Sequence, residues 1–209
     1  NNLKFDFEYG NNSLNIFNSY FRNKELTFSN NSLIIFNPFL EINSYFEVDK
    51  IDFKKFKKFD LDKLLKNKDI IKKINSKNEI NFTSKKFRKN LIDDINLKID
   101  LAYGTMNYEK KLSILDSLFQ CSGDINFLEE YPILYFDCSV VSDNKEKLFK
   151  KFSIKSKDKN KILNIFAKGN LNIFNKKLNL KYLSMNNNYQ ASKEDLAYFK
   201  MTFENILFD

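Results

Sequence analysis

Two cysteines, Cys121 and Cys138, carry the most distinctive chemistry of this 209-residue chain. They lie in the segment 119–138, FQCSGDINFLEEYPILYFDC, whose apolar alternation predicts two strands joined by a turn near Glu129 and Glu130. That turn fixes which residues face each other across the hairpin. The opposed pairs are Phe127 with Pro132, Ile125 with Leu134, Gly123 with Phe136, and Cys121 with Cys138.

Directly opposed residues of an antiparallel pair have Cα atoms about 4.5–5.5 Å apart, which is within disulfide range. Two interpretations of Cys121 and Cys138 stay open: a disulfide bond, or two buried free thiols among Phe and Ile side chains. A redox-active pair is not predicted, because no nearby cation or helix N-terminus lowers a thiol pKa.

Residues for the common catalytic mechanisms are missing. The chain has no His, which excludes Ser-His-Asp and Cys-His catalysis, His-ligated zinc and His-ligated haem. It has four Gly and no glycine-rich phosphate loop. Adjacent acids occur in a strand lead-in, a turn and a helix start, where they normally serve as solvated or capping groups: Asp93-Asp94, Glu129-Glu130 and Glu194-Asp195. We therefore expect no enzyme activity, no cofactor and no metal.

The net charge of +8 raises the question of a polyanionic partner. Only Arg22 and Arg88 are arginines, whereas base recognition in DNA relies on bidentate Arg contacts. We therefore expect no nucleic-acid binding, although a basic nucleic-acid-binding protein remains the weakest alternative. The charge also permits attraction to an anionic membrane surface.

The elements that position these residues are mostly strands. Leu3, Phe5, Phe7 and Tyr9 alternate with polar residues, a period of two that recurs along the chain. The predicted fold is mainly β with a few helices: antiparallel meander sheets, curved or groove-like, with a capping C-terminal helix. We expect one β-rich module with strands over 1–53, a helical insertion over 54–77, strands over 79–141, a short helix over 142–152, a three-strand meander over 161–185 and a helix over 192–209.

Capping residues mark the helices. Asp60 and Asn67 are the expected N-caps in the insertion, where a Lys- and Phe-rich stretch fits either a membrane-surface helix or a helix that closes one end of a sheet. Ser142 or Asp143 is expected to cap the short helix. Ser192 and Asp195 resemble a capping box at the start of the last helix.

The expected meander presents one apolar face. Turns at Gly169-Asn170 and at Lys176-Lys177 would oppose Phe166 to Ile173 and Ile173 to Leu180. With the Cys-containing hairpin, the candidate apolar face comprises Phe166, Leu171, Ile173, Leu178, Leu180, Tyr182, Ile125, Phe127, Leu134 and Phe136. Such a face must be covered by a helix, a second sheet or an acyl chain.

The segment ILNIFAKGNLNIFNKKLNLKYLSMNNNYQASKEDLAYFKMTFENILFD (162–209) resembles the AsmA-like proteins of alphaproteobacteria with AT-rich genomes. These proteins belong to the AsmA/TamB group of bacterial envelope proteins. The segment FDLDKLLKNKDIIKKINSKNEINF (59–82) also resembles the helix-to-strand step between their strand blocks.

The resemblance implies a periplasmic module of a longer protein that is anchored in the inner membrane. It implies a groove with an apolar floor that binds phospholipid and serves phospholipid transport or outer-membrane assembly. Membrane or envelope proteins would be its other partners. A non-catalytic structural or interaction module of the envelope is the alternative. The missing initiator Met and the helical pattern at the last residues also predict a fragment.

Overall fold

In the part of the chain that the structure describes, twelve strands form a single open sheet whose spatial order follows the chain from β1 to β12. The computed structural model describes residues 2–52, 65–84, 91–155, 160–186 and 188–208. The strands are β1 (Asn2–Gly10), β2 (Ser13–Arg22), β3 (Leu26–Ile35), β4 (Glu41–Ile51), β5 (Asn75–Thr83), β6 (Asp94–Ala102), β7 (Thr105–Ile114), β8 (Ser117–Asn126), β9 (Ile133–Ser142), β10 (Leu163–Asn172), β11 (Lys177–Met185) and β12 (Tyr189–Gln190).

Three helices accompany the sheet in the described part of the chain. They are α1 (Lys68–Ile71), α2 (Lys145–Lys151) and α3 (Lys193–Phe208). The predicted fold class, mainly β and antiparallel with a C-terminal helix, is thereby confirmed.

Short turns in the left-handed backbone region connect neighbouring strands. Asn11 and Asn12, between β1 and β2, have φ of 50° and 57°. Asn tolerates this region better than most residues, and such turns match the twist of the strands that they join. The Asn-rich composition therefore favours a meander.

One strand pair departs from the antiparallel pattern: β4 and β5 are parallel, from Glu41 opposite Asn75 to Val48 opposite Phe82. A parallel pair requires a crossover connection, which here contains α1. The helical insertion predicted over 54–77 is wrong at its end, because β5 already begins at Asn75. The predicted cap Asp60 lies outside the described residues.

Side-chain hydrogen bonds identify the N-terminal caps of α2 and α3. Asn144 caps α2, since its side chain accepts a hydrogen bond from the Glu146 N–H at 3.2 Å, and the predicted caps Ser142 and Asp143 are wrong. The capping box of α3 is confirmed. The Asp195 N–H donates to Ser192 Oγ at 3.1 Å, and the Ser192 N–H donates to Asp195 Oδ2 at 3.0 Å.

The three-strand meander predicted over 161–185 is instead a hairpin of β10 and β11. Gly169 and Asn170 lie inside β10 and form no turn. Gly169 instead allows close packing against the neighbouring strands. A Cβ atom at Gly169 would overlap the carbonyl oxygen of Asn179 and lie 2.7 Å from Phe136 Cζ. Glycine inside a strand often marks such close contact or a bulge.

Helix α3 lies against β11 at one edge of the sheet. Glu204 Oε1 accepts the Leu178 N–H at 2.8 Å, and the Ala191 N–H donates to the Leu183 carbonyl oxygen at 2.9 Å. These contacts occupy backbone groups of β11 that β12, paired only at Ser184 and Met185, does not reach. This edge of the sheet is thus protected.

Candidate functional site: the apolar face of the sheet

A continuous row of apolar side chains crosses eleven neighbouring strands. Each member is the register partner of the next, so all of them lie on one face of the sheet, which we call the apolar face. The row, which we call the apolar row, consists of Leu3, Phe21, Phe28, Val48, Phe82, Ile95, Leu112, Phe119, Val140, Ile165 and Met185.

The apolar row is only partly shielded from water. Val48 and Phe82 are buried, Leu3 and Met185 are exposed, and the other members are half-buried. All twelve described strands belong to the same sheet, so no second sheet among the described residues covers this face. Ten steps between strands of about 4.8 Å give the row a length of roughly 48 Å.

A second apolar row runs closer to the other end of the strands on the same face. Its members, again successive register partners, are Tyr9, Leu14, Ile34, Ile42, Leu101, Met106, Ile125, Leu134, Leu171 and Leu178, with Ser76 interposed between Ile42 and Leu101. The face is therefore apolar along two parallel lines.

Between the two rows in β2 to β5, neutral polar side chains lie beside the apolar Ile16, Phe46 and Ile80. The hydroxyl groups of Ser32 and Ser44 form a hydrogen bond with their oxygen atoms 2.8 Å apart. Ser19 Oγ donates to the Asn30 carbonyl oxygen at 2.7 Å. Asn78 Nδ2 donates to Ser76 Oγ at 3.0 Å. This polar belt carries no charge and satisfies its hydrogen bonds largely within itself.

The two cysteines lie on the apolar face between the rows. Cys121 and Cys138 are register partners and are joined by a disulfide bond, with Cα atoms 4.1 Å apart. The hairpin register derived from the sequence is confirmed at this pair and at Ile125–Leu134. The bond ties β8 to β9 in the middle of the sheet.

Two clusters of buried residues close the ends of the apolar face near the helices. Ile114 and Leu163 pack with Leu148 of α2, and Ile125, Phe127 and Ile173 pack with Leu65 and Ile71 beside α1. Phe127 and Ile173 have no exposed surface. These clusters form part of the buried core, which also includes Val48, Phe82, Leu171, Leu178 and Leu180.

The structure distributes the ten predicted apolar residues over three places. Six of them lie on the apolar face: Ile125, Leu134, Phe136, Leu171, Leu178 and Leu180. Phe127 and Ile173 belong to a buried end cluster that also contains Ile125, and Leu171, Leu178 and Leu180 are buried as well.

Phe166 and Tyr182 lie on the opposite face, so their assignment to the apolar face is wrong. Phe166 is the register partner of Ser139. It follows Ile165, a member of the apolar row, and successive side chains of a strand point to opposite faces. In β11 the register shifts by one residue between Leu180 and Tyr182, and this bulge turns Tyr182 over.

No member of the apolar row is among the ten predicted apolar residues, because the register of the row crosses the parallel junction of β4 and β5. Within each strand the alternation of Phe21, Phe28 or Ile95 with polar neighbours is visible in the sequence. Their alignment into one row depends on bulges at Asn18 and Asp49. It also depends on the register of β5 against β4, which the sequence alone does not determine.

The opposite face, which we call the polar face, carries charged cross-strand pairs. Lys98 lies between Glu79 and Glu109 in neighbouring strands. Asn96 Nδ2 donates to Glu79 Oε1 at 2.8 Å, and this hydrogen bond lowers the pKa of Glu79. Lys168 Nζ lies 2.6 Å from Asp137 Oδ2, and that hydrogen bond raises the pKa of Lys168. Such a face is well suited to water.

The described part of the chain contains no group of three or more Cys, Asp or Glu side chains arranged to hold a metal ion. None of the described helices is both long and apolar enough to cross a membrane. The apolar face is a candidate site, as is the concavity of about 440 Å³ that Asn31, Tyr45 and Glu79 line on the polar face.

Comparisons with protein-family models, with curated proteins and with solved structures find no match for this chain.

Proposed function

We propose that the chain is a non-catalytic, periplasmic β-sheet module that binds phospholipid acyl chains on its apolar face. In this proposal it belongs to an AsmA-like envelope protein that is anchored to the inner membrane and serves phospholipid transport or outer-membrane assembly. The observation that carries the proposal is the apolar row, which spans eleven strands and has no second sheet over it among the described residues.

The dimensions of the row suit lipid tails. The hydrocarbon core of a bilayer is about 30 Å thick, so one acyl chain spans about 15 Å. A row of roughly 48 Å is long enough for more than one chain end to end. Each buried CH₂ group stabilises the complex by about 0.8 kcal/mol, because apolar surface of both lipid and protein leaves water.

The disulfide supports the proposed periplasmic location, and the positive net charge supports a phospholipid ligand with an anionic headgroup. A bond between Cys121 and Cys138 persists in oxidising compartments such as the bacterial periplasm. The net charge of +8 favours anionic headgroups at the rim of the face.

Native mass spectrometry of the purified protein tests the proposal directly. We expect co-purified phospholipid, and we expect Phe28→Asn and Ile95→Asn, each of which places an amide in the apolar row, to bind at least several-fold less. Ser29→Asn is the matched control, because Ser29 neighbours Phe28 on the polar face. Urea unfolding of each variant verifies that the fold is retained. Equal lipid in folded Phe28→Asn and Ser29→Asn, or no lipid in the unmodified protein, would contradict the proposal.

The second candidate is a structural or interaction module of the envelope. It is favoured by the two buried end clusters, which show that α2 and the residues beside α1 already cover part of the apolar face. In that case the purified protein carries no lipid, and Phe28→Asn alters its stability alone.

A further inference from the structure

Among the described strands, none pairs with the outer edge of β1, in contrast to the protected edge at β11. All nine residues from Asn2 to Gly10 are exposed, and β2 is the one described strand that pairs with β1. The register shift between β1 and β2 arises from the extra residue Asn18 in β2, so β1 itself is not bulged. An unbulged strand with free backbone groups is a template for a further strand.

We propose that β1 is a homotypic interface, through which two copies of the chain pair antiparallel with Phe5 on the two-fold axis. In this register Leu3 faces Phe7 of the second copy, and Lys4 faces Asp6 of the second copy. Two-fold symmetry repeats both pairs, so the interface contains two Lys–Asp pairs and a continuous apolar side.

The charges of β1 select this register among its neighbours. Centring the pair on Asp6 would form two Lys4–Glu8 pairs but oppose Asp6 to its own copy between them, and centring it on Phe7 would oppose Asp6 to Glu8 twice. Like charges directly opposite each other across strands are destabilising, whereas opposite charges stabilise the pair. Only the register centred on Phe5 forms two attractive pairs without a repulsive one.

The apolar side of β1 also fits a copy of itself. Leu3, Phe5, Phe7 and Tyr9 are between 50% and 69% exposed, a large apolar surface for four successive positions. Pairing places the Phe5 rings of both copies against each other and joins the two apolar faces into one sheet. The interface stands independently of lipid binding, since it requires only the edge and side chains of β1.

Cross-linking through single cysteines tests the register. Phe5→Cys should form a disulfide-linked dimer under mild oxidation, because residue 5 faces itself across the axis. Asp6→Cys is the matched control, exposed and adjacent, and should form several-fold less dimer. Equal cross-linking of the two variants, more with Asp6→Cys, or none at all would overturn the proposal.

Charge reversal tests the Lys4–Asp6 pair in solution. We expect sedimentation velocity to show a concentration-dependent dimer that Lys4→Asp and Asp6→Lys each weaken by about tenfold, since either change creates two like-charge pairs. The double variant should restore association, because the charges are exchanged. Urea unfolding of each variant controls for the fold of the monomer. A wild-type monomer at all concentrations, or a double variant as weak as the single ones, would refute the interface.

Discussion

Val48 and Phe82 lie side by side across the parallel junction of β4 and β5, with 8% and 3% of their surfaces exposed. They are the two buried members of the apolar row. The junction therefore keeps the apolar side chains of β1 to β4 in line with those of β5 to β11. A slip of one residue there would place Phe82 on the polar face.

Truncation of Phe82 should be costly. We expect Phe82→Ala to lower the free energy of unfolding by about 3–4 kcal/mol, because a buried aromatic ring is lost and a cavity remains. Urea titration followed by circular dichroism measures this change. The exposed neighbour Thr83 provides the control, since Thr83→Ala should change stability by less than about 0.5 kcal/mol. Similar effects of the two variants would mean that the junction is not packed as described.

The fold was predictable from the sequence where the signal is local. Alternation in the β1 segment, the Ser192–Asp195 capping box and the Cys121–Cys138 register each depend on residues within a short span, and all three are found. The register of β5 against β4 is not local, because it depends on a crossover of more than twenty residues. For that reason the apolar row could not be predicted from the sequence.

The buried cluster of Ile125, Phe127 and Ile173 predicts different effects of substitution at two adjacent residues. Ile173 is fully buried, whereas Phe174 is 63% exposed. Ile173→Asp should unfold the protein or lower its stability by several kcal/mol, since an unpaired carboxylate would replace an alkyl group in the core. Phe174→Asp should leave the unfolding midpoint nearly unchanged. If Ile173→Asp folded normally, Ile173 would not belong to the buried cluster with Ile125 and Phe127.

The disulfide should contribute measurable stability. Cys121 and Cys138 are 17 residues apart, and closing a loop of that length stabilises a protein by about 3 kcal/mol in the chain-entropy model. We expect the double variant Cys121→Ser/Cys138→Ser to lose about that much in urea unfolding. Reduction of the unmodified protein should produce the same loss, and a reductant should not affect the variant. A reductant-sensitive variant would indicate a cause other than this bond.

Acid should weaken the start of α3. The Tyr189 hydroxyl donates to Asp195 Oδ2 at 2.7 Å, and this hydrogen bond, with that from the Ser192 N–H, lowers the pKa of Asp195 below its ordinary value of 3.8. A carboxyl group with a lowered folded-state pKa stabilises the fold above its unfolded pKa, and this contribution disappears as the pH falls through the folded pKa.

The stability difference between the unmodified protein and Asp195→Asn should therefore be constant above about pH 5 and shrink below about pH 4. Urea unfolding at a series of pH values measures it. The difference should also fall when Tyr189 is replaced by Phe, which removes the donor that lowers the pKa most. A difference that grows on acidification would exclude this origin.

The sequence predicts that Gly169 lies in a turn with Asn170. The structure places it inside β10, where its register partners are Phe136 and Leu180. The two interpretations differ in what a methyl group would encounter. In a turn it would point into solvent, whereas in the strand it would overlap the Asn179 carbonyl oxygen and the Phe136 ring.

Gly169→Ala distinguishes these interpretations. We expect a loss of about 1–3 kcal/mol in the free energy of unfolding, because neighbouring backbone and ring atoms must move to admit the methyl group. Gly10→Ala is the matched control, since a Cβ atom there would have no neighbour within 4 Å. That change should be neutral or slightly stabilising, as alanine reduces the freedom of the unfolded chain. Equal stability of the two variants would contradict the close packing of β10 between β9 and β11, and with it the alignment of the apolar row at Val140 and Ile165.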